Sequence, residues 1–315
     1  MHAQLRDRLF ERTDDCPDRS VLILLDPNHP VASTHPLHVS QLKKRPLEPE
    51  LLVVPRDDRM SDPDSYPRLL VLRKPDDRGC PDEELLKLTL DCAQQRRSSI
   101  NGAYVCGWLV VDAPADEVAS QIRRSIIIYD TSARRRGVVP LFEPHRLLLA
   151  SHFASPQWLS RWLGVISSWF LIDACGQLRE IRPALRDAVQ DVVSPSPDFW
   201  FAQARVKQAR EVLLALVKAD QMVPVDCEIA IDLSLQAAYR EGLNEAEDVI
   251  FFAVNHMVLP AGWHAHPAVR ACIASAVSGE AALTDSITSL RDDVLEELSL
   301  VDPGQATHQS LQRSK

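Results

Sequence analysis

Apolar residues in the first half of the chain come in short unbroken runs. They occur at Val21–Asp26 (VLILLD), Leu51–Arg56 (LLVVPR) and Arg68–Arg73 (RLLVLR), each bounded by Pro or Asp. Short runs of this kind predict buried strands. Pro81-Asp82-Glu83-Glu84 opens a helix, with proline at the first turn and carboxylates facing the positive end of the helix dipole. That helix runs on through LLKLTLDCAQQ to Arg96 and Arg97. Ala103–Val111 is a second long apolar run and predicts a strand. Pro114 starts a helix that reaches Arg124, and Ser125–Asp130 (SIIIYD) predicts a further buried strand. Two short Trp-rich helices follow. Phe170–Asp173 and Gln177–Ile181 flank Ala174-Cys175-Gly176, a hairpin turn in which Gly176 supplies positive φ.

The pattern changes after Val192–Asp198 (VVSPSPD), a linker whose prolines and serines suit neither a helix interior nor a central strand. Ala202, Val206, Ala209, Leu213 and Leu216 recur at three- and four-residue steps and predict one apolar helix stripe. Further helices are expected over about 228–240, closed by Gly242, and from a capping-box-like Asn244/Glu247 pair to Val258, ended by Pro260. Others are expected from Pro267 to Gly279 and over 284–298. The expected fold is an α+β or α/β N-terminal lobe with a mixed sheet over 1–191, a linker at 192–198, an all-α lobe over 199–300 and a disordered tail at 301–315.

Composition narrows the function. The chain has 315 residues, 45% hydrophobic and 25% charged, and a chain of this size buries about 75% of its unfolded surface without disulfide staples. Its net charge of −9 argues against a nucleic-acid partner, whose phosphates are met by Lys and Arg. The seven cysteines are scattered with no CxxC, which reads as reduced thiols of a cytoplasmic protein. The N-terminal stretch is charged throughout and shows no secretory signal, and the best apolar run, 249–262, is too short for a membrane span.

Motifs of catalysis are missing. Gly102-x4-Gly107 has phosphate-loop spacing, but Trp108 stands where the lysine must be, and no GxSxG occurs. No cofactor and no metal site is expected. His256, His264 and His266 form the densest histidine group and carry the rival reading, a metal-dependent hydrolase. Against it, His266 precedes Pro267 and suits a helix cap, and no carboxylate or thiol has matching spacing. Arg134-Arg135-Arg136 reads as a solvated loop between strands.

The aromatics remain. Trp158, Trp162 and Trp169 cluster in the first half. Phe199, Trp200 and Phe201 follow the linker directly, and three consecutive aromatics cannot share one helix face, so at least one is expected at the surface or in an interface. With Phe251, Phe252 and Trp263 they form the expected partner-binding set, the last three as part of a groove in the helical lobe.

The order strand, helix, strand, two Trp-rich helices and hairpin over 104–181 resembles the adaptor, or effector-chaperone, family of bacterial type VI secretion. The resemblance rests on Gly107-Trp108-Leu109, Ala115-Asp116-Glu117-Val118, Ser155-Pro156 to Gly164, Trp169, Asp173 and Gly176. It extends more weakly over about 20–298. The family's Arg-aromatic-aromatic-Asp-Pro-Arg run is altered here to Pro140-Leu141-Phe142-Glu143-Pro144-His145, followed by Arg146. Glu143 and Arg146 are expected to pair at i, i+3 spacing. The resemblance implies a two-lobed, non-enzymatic protein that binds a cognate effector and loads it onto the VgrG spike, with neither nucleic acid nor membrane as partner. A structural subunit of the same apparatus is the remaining alternative.

Overall fold

The computed structural model describes residues 1–300 except 15, 17, 46–47, 76–81, 96–101, 131–132 and 185–193. The expected helix start at Pro81, its end at Arg96 and Arg97, the linker's first two residues and the tail therefore lie outside the described residues. The chain divides into two compact units, Met1–Ala204 and Arg205–Lys315. The division falls inside a helix rather than in the VVSPSPD segment.

The first unit is built on a six-stranded sheet. Its elements are α1 (His2–Asp14), β1 (Ser20–Leu25), α2 (Val39–Leu42), β2 (Leu51–Val53), β3 (Arg68–Arg73), α3 (Glu83–Gln95) and β4 (Val105–Val111). They continue with α4 (Ala115–Ser125), β5 (Ile127–Asp130), β6 (Arg135–Val138), α5 (Pro144–Phe153), α6 (Pro156–Leu163), β7 (Ile166–Ile172) and β8 (Leu178–Ile181). The strand order is β2-β3-β1-β4-β7-β8, with β5 and β6 forming a separate two-stranded sheet.

Every pairing in the six-stranded sheet is antiparallel, which corrects the expected mixed sheet. The reason is physical. Unbroken apolar runs report that both faces of a strand are covered, and say nothing of strand direction. On one face Leu22, Leu24, Leu109, Val111, Trp169 and Leu171 pack with α4, α5 and α6. On the other, Val21, Ile23, Trp108, Val110 and Phe170 pack with α1 and α3. Successive residues of one strand thus enter different cores, as the two-residue side-chain period requires.

The indoles lock these layers together. Trp108 Nε1 donates to Thr89 Oγ1 on α3 at 3.0 Å, and Trp169 Nε1 donates to the Cys106 carbonyl at 3.2 Å. Gln121 on α4 donates to the Trp162 carbonyl at 3.1 Å and accepts from Val165 N at 3.1 Å, fastening α4 to the end of α6. The β7–β8 hairpin closes as expected: Gly176 has φ 80°, and Asp173 Oδ1 accepts from Gln177 N at 2.7 Å.

Two elements of this unit were not expected. α1 comes from the charged N-terminal stretch, where Leu5, Leu9 and Thr13 are buried. β6 comes from the basic run, so Arg135 and Arg136 are strand residues rather than loop. β5 also departs from expectation, because Ile127 and Tyr129 are exposed while Ile128 and Asp130 are buried.

The helix α7 (Pro197–Lys218) crosses the division, and all five stripe residues are buried as their spacing predicts. The second unit continues with α8 (Cys227–Arg240), α9 (Ala246–Val258), α10 (Pro267–Ser278), α11 (Leu283–Thr288) and α12 (Asp292–Leu300). The expected single helix over 284–298 is two helices broken near Ser289–Arg291. The Asn244/Glu247 capping box does not form: Glu245 is the cap, and Asn244 Nδ2 instead donates to the Gly242 carbonyl at 3.0 Å. Gly242 and Gly279 end α8 and α10 with φ of 89° and 76°. Inside the unit, Arg205 donates twice to the fully buried Asp232, both bonds 2.9 Å.

Among the described residues, no helix is long and apolar enough to cross a membrane.

Candidate functional site

The aromatic residues singled out in the sequence separate into interior and surface positions. Phe199 is fully buried, Trp200 is half-buried with its ring over Gly137, and Phe201 is 59% exposed. The 199–201 triplet therefore presents an aromatic ring to solvent, as the helix geometry demands. Phe252 and Trp263 are interior side chains that pack against each other at a tilt, 5.3 Å between ring centroids, and Phe251 is half-buried. Phe199, Phe252 and Trp263 are thus corrected from partner-binding to core residues. Their hydrophobicity is spent on internal packing, and a partner cannot reach them in this fold.

Of the three histidines of the rival reading, His256 and His264 lie with ring centroids 5.6 Å apart, while His266 is engaged elsewhere. His266 Nδ1 accepts from Ala268 N at 3.2 Å and caps α10. His256 Nδ1 lies 3.1 Å from Ser234 Oγ, and His264 packs its ring on Phe252 and Trp263. Burial, and then the neighbouring His264, hold His256 below its ordinary pKa, which disfavours its charged form.

The surface of the first unit carries an apolar ridge that the sequence pattern missed. In the β5–β6 register Ile127 faces Val138 and Tyr129 faces Arg136. The three apolar members are 40%, 47% and 51% exposed for Ile127, Val138 and Tyr129. Side chains opposite one another on a two-stranded ribbon lie on the same face, so these form one patch. Beside it runs a groove of about 650 Å³, lined by Arg124, Ile127, Tyr129, Trp158, Arg161 and Trp162. A second hollow of about 610 Å³ shares Arg124, Ile127 and Tyr129 and adds Arg123 and Arg136. Arg123 is engaged by Asp57 at 2.8 Å. Arg124, Arg136 and Arg161 are exposed and form no ion pair among the described residues. The ridge is an apolar and aromatic strip bordered by three free guanidiniums on a chain of net charge −9.

The structure also gathers a polar cluster inside the first unit. Asp26 follows β1 directly and is fully buried, its N–H donating to the Tyr104 carbonyl at 2.7 Å. His29 Nε2 is 3.6 Å from Asp26 Oδ2 and 3.8 Å from Glu143 Oε1. Glu143 is the residue before α5 and pairs with Arg146 at 3.4 Å, the i, i+3 contact expected from the sequence. Burial pushes Asp26 up to about 6, against the pull of His29 and the Asn28 N–H, while the Glu143 charge pushes the same way. Gly102, at φ 101°, leaves room for the imidazole: a Cβ there would come within 2.6 Å of His29 Nε2. No sequence motif links residues 26, 29 and 143; only the packing of α5 against the end of β1 brings them together.

No family model matches this chain, and neither does any curated protein or any solved structure.

Proposed function

We propose that this protein is a non-catalytic adaptor that binds a cognate type VI secretion effector in the cytoplasm and helps load it onto the VgrG spike. The observation that carries the reading is the ridge of Ile127, Tyr129 and Val138 with Arg124, Arg136 and Arg161 at its border. An exposed aromatic and aliphatic strip flanked by unpaired guanidiniums suits an acidic amphipathic segment, because apolar burial supplies affinity and charge complementarity supplies register. The resemblance over 104–181 supports the same role. The residues that carry it, Gly107, Trp108, Trp169, Asp173 and Gly176, do structural work in the fold, which is what a binding scaffold requires. The effector-binding face moves from the helical half to the β5–β6 ribbon, since Phe252 and Trp263 are interior.

The test is a titration of the full chain with the effector-like proteins encoded beside its gene. One of them is expected to bind, and Tyr129→Ala combined with Arg124→Glu is expected to weaken binding about 30-fold or more, the loss of an interface hot spot of about 2 kcal/mol. Unchanged affinity in that variant removes the ridge as the docking face. Failure of every neighbouring protein to bind removes the adaptor reading.

A further inference from the structure

We propose that Asp26, His29 and Glu143 form a binding site for one divalent transition-metal ion, independent of the docking ridge. Each offers a ligand atom, and the three atoms lie within 4.8 Å of one another.

The hydrogen bonding sorts the two oxygens of each carboxylate. Asp26 Oδ1 accepts from Asn28 N at 3.0 Å, leaving Oδ2 turned to the shared centre. Oδ2 is buried and accepts no hydrogen bond. Glu143 divides in the same way: Oε2 faces Arg146 Nε at 3.4 Å, and Oε1 faces His29. One outer oxygen held by a hydrogen bond, the other by an ion pair, with the inner oxygens turned to one point, is how carboxylate ligands are oriented at metal centres.

His29 fits the same arrangement. Arg59 donates to Asn28 Oδ1, which places the Asn28 amide nitrogen 3.3 Å from His29 Nε2. In the neutral tautomer that accepts from this amide, Nε2 is the unprotonated, lone-pair nitrogen. The buried Asp26 Oδ2, which accepts no hydrogen bond, is left to be balanced by a cation at this centre. Arg146 neutralises the outer side of Glu143, and the buried Arg56 is engaged by Asp58 at 2.6 Å, so neither guanidinium fills the centre.

The geometry is close to that of a bound ion. Ligand bonds of about 2.0–2.2 Å in a tetrahedron put ligand atoms roughly 3.4 Å apart. The two distances from His29, 3.6 and 3.8 Å, need a closure of a few tenths of an ångström, and the two carboxylate oxygens, within 4.8 Å of each other, would draw together on binding. One imidazole and two carboxylates suit zinc first and manganese second. Because Asp26 directly follows β1 and Glu143 directly precedes α5, the ion would pin the end of an inner strand to the start of that helix.

The experiment uses the full chain treated with EDTA, dialysed, and titrated calorimetrically with zinc chloride and then manganese chloride at neutral pH. Saturable binding of one zinc per chain is expected, with a zinc-dependent rise in melting temperature. His29→Gln is expected to lose the saturable site while keeping its circular dichroism spectrum. Glu143→Gln provides a second ligand variant should either substitution fail to fold. Equal zinc binding by wild type and His29→Gln would overturn the proposal, as binding at other surface histidines. So would the absence of stoichiometric binding by either metal; His29 protonated on both nitrogens by NMR would then show that a proton occupies the centre.

Discussion

Replacing Gly107 by alanine tests how the central sheet is built. Gly107 lies in β4 between β1 and β7, with φ 146°. A Cβ at this position would meet the Phe170 carbonyl oxygen and Trp169 Nε1, each at 2.4 Å. Neither neighbour is free to yield. The carbonyl belongs to the paired β7 backbone, and the indole is fully buried and donates to Cys106 at 3.2 Å. Three costs combine. Holding a non-glycine residue in this backbone region costs about 1–3 kcal/mol. Overpacking a close-packed core costs about 1–3 kcal/mol more. Any loss of the buried indole hydrogen bond adds about 1–3 kcal/mol. A total of roughly 3–9 kcal/mol is a large share of the 5–15 kcal/mol that stabilises a typical domain. Urea unfolding followed by tryptophan fluorescence, with midpoint and slope compared to wild type, measures it. A loss below about 1 kcal/mol at unchanged slope would refute the reasoning, because the strand would then have slack that close packing forbids.

Two further outcomes follow from the second unit. Asp232→Ala leaves Arg205 without its bidentate partner in a buried position and is expected to cost about 3–5 kcal/mol. The double change Arg205→Met with Asp232→Leu is expected to recover most of that loss, and urea titrations of the single and double variants decide it. His256 has a folded pKa below its ordinary value of 6.5, so as pH falls the unfolded chain takes the proton first. Stability is therefore expected to decline from about pH 6.5 downward and to be insensitive to this group above it. Urea midpoints at pH 7.5, 6.5 and 5.5 for wild type and His256→Gln test this; an equal acid decline in both would assign it to other groups.

Periodicity in the sequence was sufficient for most elements. The runs at 68–73 and 105–111 and the stripe from Ala202 to Leu216 fold as their spacing dictates, because burial of a strand or helix face is a local pattern. Gly176, Gly242 and Gly279 mark turns and helix ends for the same reason, each in a left-handed conformation that glycine adopts without strain. The i, i+3 pair of Glu143 and Arg146 was legible because helix geometry sets that distance without reference to the rest of the chain. The His266 cap was also readable from its place before Pro267.

Other features depend on which segments meet, and no local pattern encodes that. Strand direction is one: a run buried on both faces reads alike in parallel and antiparallel sheets, and the connections make this sheet antiparallel. Surface and interior aromatics are another. Phe252 and Trp263 are close in composition to Tyr129, yet helix packing encloses the first two, while a two-stranded ribbon with one uncovered face leaves the third in solvent. The Asp26, His29 and Glu143 cluster is the clearest case. Two of its members lie three residues apart and the third more than a hundred residues on, and their lone pairs face one another only because α5 begins where β1 ends. The sequence by itself therefore determined most of the helices, strands and turns and the buried faces that repeat periodically. Tertiary structure alone decided strand direction, the exposed ridge and the buried polar centre, because these arise from contacts between segments whose separation along the chain carries no periodic signal.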